Sequence, residues 1–105
     1  MSYLTDDELL QLDRLSLNSF LIMRNPSEAM QRAAVKKFSE AIRYISNPSE
    51  AVQLASVRTW GLSVQYISNP SEAVQLAAVM CDGLAIRFFK NPSEAVKLAA
   101  VENFG

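Results

Sequence analysis

The tetrapeptide Asn-Pro-Ser-Glu begins at Asn25, Asn47, Asn69 and Asn91, each start 22 residues after the last. Residues 47–68 and 69–90 agree at twelve of 22 positions, where unrelated segments would share roughly one or two. A short self-similar unit cannot enclose a core by itself, so such chains fold by laying one unit on the next. The units are 25–46, 47–68 and 69–90, followed by a partial unit at 91–105. Residues 1–24 form a degenerate first unit, and the whole chain is one domain.

Each unit opens like a helix. Asn25, Asn47, Asn69 and Asn91 are expected as N-caps, each followed by proline at the first helical position and by the glutamate of a capping box. The next segment, for example Ala51-Val52-Gln53-Leu54-Ala55-Ser56-Val57, is apolar over more than one stripe. Such a helix needs cover on two sides, which neighbours before and after it provide. Gly61 and Gly83, with Ser39 in the equivalent place, are expected to stop this helix in a left-handed conformation. Then come Ala41-Ile42-Arg43-Tyr44-Ile45, Ser63-Val64-Gln65-Tyr66-Ile67 and Ala85-Ile86-Arg87-Phe88-Phe89. Apolar positions at i, i+1, i+3 and i+4 share one helical face. Their β-branched and aromatic content keeps a strand as the alternative. The expectation is an all-α fold: a short right-handed α-solenoid of two-helix units. The first helix has about ten residues and the second about six to eight, partly 3₁₀. At the N-terminus, Thr5-Asp6-Asp7-Glu8 supplies a capping box, and Leu9, Leu10, Leu12 and Leu15 an apolar helix. Phe20 to Met23 fill the second-helix slot, so residues 1–24 act as a capping repeat with a polar outer side.

Composition narrows the chemistry. The formal charge is −1 and histidine is absent, which disfavours generic nucleic-acid binding and removes the commonest acid/base group near neutral pH. The single cysteine, Cys81, cannot form an internal disulfide, and one Cys without His cannot build a zinc site. No nucleophile, base or metal constellation is recognisable, so the expectation is a non-enzyme without cofactor or metal. The acidic N-terminal stretch and the lack of a spanning apolar segment make a cytoplasmic protein the default.

The repeat itself carries a resemblance. Asn-Pro-Ser-Glu-Ala-Val-Gln-Leu-Ala, then Val57 or Val79, a glycine and an Ile/Val-x-Tyr/Phe-Ile/Phe segment resemble the short tandem repeats of a family of unassigned function found in bacteria and viruses. They are more distantly similar to variant leucine-rich repeats and short HEAT-like arrays. The resemblance spans Asn25 to Gly105 and implies a right-handed stack of short helices that presents a recognition surface. It implies no catalytic residues. With the chain's small size, it suggests a narrower role as a virus-encoded inhibitor of a host complex.

Candidate binding residues sit where the units differ. Glu28, Glu50, Glu72 and Glu94 line one edge, but capping explains them. Tyr44, Tyr66 and Phe88 fall in the apolar pattern and are expected to pack. The variable columns are Lys36, Arg58, Met80 and Glu102; Lys37, Thr59, Cys81 and Asn103; and Phe38, Trp60, Asp82 and Phe104. All lie at the turn between the two helices. Aromatic and Arg side chains most often dominate binding energy, so Phe38, Arg58, Trp60 and Met80, with Lys37, are the candidate strip for a protein partner. Arg43 and Arg87 extend it on the outer side of the second helices. The alternative is a homodimer: the partial fourth unit leaves Val96, Ala99, Ala100, Val101 and Phe104 without a succeeding layer.

Overall fold

The computed structural model describes residues 20–22 and 25–103. Within them the fold is all-helical and holds no strand. Four α-helices, α1 (Glu28–Lys37), α2 (Glu50–Thr59), α3 (Glu72–Cys81) and α4 (Glu94–Glu102), alternate with three 3₁₀ helices. These are η1 (Ser39–Tyr44), η2 (Gly61–Tyr66) and η3 (Gly83–Phe88). The cap expected at residues 1–24 lies, apart from Phe20, Leu21 and Ile22, outside the described residues. Each α-helix packs on the next, and each 3₁₀ helix wedges between its own α-helix and the one that follows.

The N-caps are the serines. Ser27, Ser49, Ser71 and Ser93 are extended, and their hydroxyls accept from the N–H groups of Met30, Val52, Val74 and Val96. The helices thus start two residues later than expected. Proline precedes the cap, and each glutamate is the first helical residue, where the positive end of the dipole favours it. Asparagine does a different job. Asn47 and Asn69 take φ of 52°, a left-handed conformation that asparagine tolerates better than most residues, and so turn the chain from one layer into the next. The proline carbonyls also have a partner: Gln31, Gln53 and Gln75 donate from Nε2 to Pro26, Pro48 and Pro70 at 3.1, 2.9 and 3.1 Å.

The glutamate column is bonded between layers as well. Ser71 donates to Glu50, and Ser93 to Glu72, each at 2.7 Å; Ser49 donates to Glu28 in the same way. A single hydroxyl thereby caps its own helix and ties it to the preceding one. In α4, Glu94 instead pairs with Lys97 at 3.3 Å.

The expected left-handed glycine stops are absent. No described glycine has positive φ. Helices α1, α2 and α3 end on Phe38, Trp60 and Asp82 in extended conformations, with φ of −135°, −147° and −152°. Gly61 and Gly83 are small because the next layer comes close. A Cβ on Gly61 would lie 2.6 Å from the Ala78 carbonyl oxygen, and one on Gly83 would meet that of Ala100 closer still. Where the first unit has Ser39, the following helix carries Ser56, whose hydroxyl donates to the Ser39 carbonyl at 3.2 Å.

The core consists of columns, one residue from each layer. Val35, Val57 and Val79 are fully buried, as are Val52, Val74 and Val96. Small residues fill the contact between α and 3₁₀ helices: Ala34, Ser56, Ala78 and Ala100 on one side, Ala41, Ser63 and Ala85 on the other. Burying two serines is tolerable because they satisfy each other. Their hydroxyls are 2.9 Å apart, and since Ser56 donates to Ser39, Ser63 supplies the proton between them. Among the described residues no buried side-chain polar atom lacks a partner.

Candidate interaction surfaces

The structure divides the residues singled out in the sequence between two surfaces. The first is the edge formed by the 3₁₀ helices. A 3₁₀ helix has 3.0 residues per turn, so side chains at i and i+3 eclipse. Ile42 and Ile45 therefore share a column that faces the core, whereas Ala41 and Tyr44 share one at its margin. Ala41 is covered, and the longer Tyr44 ring runs out into solvent with 54% of its surface exposed. Tyr66 is 37% exposed and Phe88 half-buried. The aromatic column expected to pack is thus substantially a surface feature.

That edge is organised around Arg43. Its guanidinium carbon sits 5.6 Å from the centroid of Tyr44 and 4.9 Å from that of Tyr66 in the next layer, a cation held between two ring faces. Trp60 adjoins it: its ring lies 6.3 Å from Tyr66 at an interplanar angle of 54°, and it is 38% exposed. The extended backbone at the end of α2 aims this side chain at the 3₁₀ edge. Arg87 repeats the motif over Phe88 at 4.9 Å. Arg43, Gln65 and Arg87 all face solvent, as expected of that column.

The second surface is formed by the α-helices. Arg58 and Met80 belong here, with Ala73, Leu76, Ala77 and Cys81 completing one shallow groove. Arg58 also borders a second groove with residues of α1 and α2. Phe38 belongs to neither surface; it is half-buried and packs against the core, with the Lys37 ammonium 5.8 Å above its ring. Asp82, in the equivalent place one layer beyond Trp60, is also occupied: it caps η3 by accepting from the Leu84 N–H at 3.0 Å. The expected strip therefore contains two separate groups, Trp60 with Arg43 on one surface and Arg58 with Met80 on the other.

At the last layer Val96 and Ala100 are buried and Ala99 is half-buried, because α3 and η3 already cover them. The apolar surface left there is Val101, 65% exposed, and Leu98, 62% exposed. Leu98 is the residue that the sequence reading missed, and its alignment with the half-buried Leu54 and Leu76 was the available signal. Phe104 lies outside the described residues.

Among the described residues no cluster of three His, Cys, Asp or Glu is placed to hold a metal ion, and no helix is long and apolar enough to cross a membrane. Cys81 is exposed, its sulfur 3.8 Å from the Arg58 carbonyl oxygen. Both surfaces are suited to binding by shape, ring faces and charge. Comparison with family models, with curated proteins and with solved structures finds no match.

Proposed function

We propose that this chain is a non-enzymatic protein-interaction module, built as a short right-handed α-solenoid of 22-residue repeats and acting in the cytoplasm. Alternation of α and 3₁₀ helices along a body 44 Å long and about half as wide supports the solenoid, as does the 22-residue spacing of its Asn-Pro-Ser-Glu motifs. The observation that carries the function is the exposed cluster of Arg43, Tyr44, Trp60 and Tyr66. Tyr, Trp and Arg are the side chains most enriched in binding hot spots, and here rigid layers hold them in mutual contact on one edge. Replacing Trp60 and Tyr66 together by Ala should abolish capture of a protein partner from the source cell while the far-UV circular dichroism stays unchanged. Undiminished capture by the folded double variant would remove this edge as the binding site.

A second reading is favoured by Val101 and Leu98, which leave apolar surface open beside α4. Two copies meeting there about a two-fold axis would cover it. Light scattering at high protein concentration decides: twice the chain mass, reverting to a monomer with Val101→Lys, supports a homodimer, and a monomeric wild type excludes it.

A further inference from the structure

The groove between α1 and α2 combines two properties that the aromatic edge lacks. Its floor is apolar and low, made by Ala51, Leu54 and Ala55, and its rim carries three cations, Arg32 and Lys36 from α1 and Arg58 from α2. The groove is a shallow, open depression of about 520 Å³, and no carboxylate lines it. Arg32, Lys36 and Arg58 are exposed and make no ion pair with any described residue. Glu28, Glu50 and Glu72, at the N-terminal ends of their helices, are engaged by the Ser49, Ser71 and Ser93 hydroxyls instead.

Two ordinary explanations for these cations fall short. Basic residues in a last helical turn complement the dipole, which accounts for Lys36 and Arg58. It does not account for Arg32, in the middle of α1, and α3 and α4 have no basic residue in their last turns. Nor are these positions basic along the whole chain. Leu54, Leu76 and Leu98 follow Arg32 in its column, and Met80 and Glu102 follow Arg58. Positive charge is thus concentrated at α1 and α2, while the same surface becomes apolar over α3, where Ala73, Leu76 and Met80 continue the floor.

We infer that this surface docks an amphipathic helix of another protein, one that sets an apolar stripe on the alanine and leucine floor and carboxylates against Arg32, Lys36 and Arg58. Alanines in the floor admit the close approach of a helix, whose anchors then recur at i, i+3, i+4 and i+7. Three cations around one groove select acidic flanks and repel basic ones. A nucleic acid would leave the apolar floor uncovered, and a membrane surface is flatter than the groove. The docking surface is distinct from the aromatic edge, so either can fail alone.

The test uses a fluorescein-labelled peptide of about 14 residues, roughly four helical turns, with leucines on one face and glutamates on both flanks. A control peptide has lysine for every glutamate. Anisotropy titration of the full chain should show the acidic peptide binding at least about tenfold more tightly than the basic one, with the difference shrinking as salt rises. The double change Arg32→Glu, Arg58→Glu should weaken the acidic peptide by about tenfold or more, and Arg32→Gln, Arg58→Gln by less. Ala51→Gln, which fills the floor without altering charge, should weaken it too, whereas Trp60→Ala should leave it unchanged. Equal binding of the two peptides would overturn the inference. So would no saturation by the acidic peptide below about 1 mM, insensitivity to Ala51→Gln, or preferential binding to phosphatidylserine vesicles or an oligonucleotide.

Discussion

Val57 and Val101 occupy the same position two units apart, near the end of an α-helix, yet Val57 is fully buried and Val101 is 65% exposed. Val35 and Val79, in the same column, are buried like Val57. The helices are alike in length and sequence; what differs is that α3 lies over Val57 and no described element lies over Val101. Burial here is conferred by the following layer, and an isolated unit would leave about the same valine in water.

The largest expected effect lies in that column. Val57→Ala should lower the unfolding free energy by about 2–3 kcal/mol, through lost transfer energy and a residual cavity. Val101→Ala should cost less than about 0.5 kcal/mol. Equal losses in urea titrations would break the comparison. Gly61→Ala tests the same contact from the other side. Its methyl group would press on the Ala78 carbonyl, and a destabilisation of about 1–3 kcal/mol is expected in the same titration, although Ala is ordinarily the better helix former.

A subtler pair sits in the middle layer. Ser56→Ala leaves the Ser63 hydroxyl buried without its acceptor and should cost about 1–3 kcal/mol. Adding Ser63→Ala should recover most of that loss, because the neighbouring layer already packs Ala78 and Ala85 in those places. A double-mutant cycle showing simple additivity would rule out the coupling. The smallest effect belongs to the caps. Ser71→Ala should cost about 1 kcal/mol, measured by thermal unfolding.

Much of this fold could be read from the chain. The recurrence of Asn-Pro-Ser-Glu located α1, α2, α3 and α4, and the apolar spacing of Ala41 to Ile45 and its relatives anticipated a short second helix. What misled was local. Asn and Ser are both strong N-caps and stand two residues apart, and only the left-handed backbone at Asn47 and Asn69 shows which residue turns and which caps. Glycine after a helix usually reports a left-handed stop, but at Gly61 and Gly83 it reports the nearness of another chain segment, which local sequence cannot express.

The candidate surfaces were less legible than the fold for a geometric reason. Whether Tyr44 and Tyr66 point inward depends on a pitch of 3.0 rather than 3.6 residues per turn. Whether Trp60 joins Arg58 or Arg43 depends on the extended residue that ends α2. Variation between units did mark Arg58, Trp60 and Met80 as outward positions, yet it could not say that they face different ways.

Residue-resolved native-state hydrogen exchange tests the dependence of each layer on the next most directly. Amides of α2 and α3, covered on both sides, should exchange only through the largest opening of the molecule, and those of α4 through a smaller one of lower free energy. Protection of α4 equal to that of α2 would contradict the account, because no described layer covers the far side of α4.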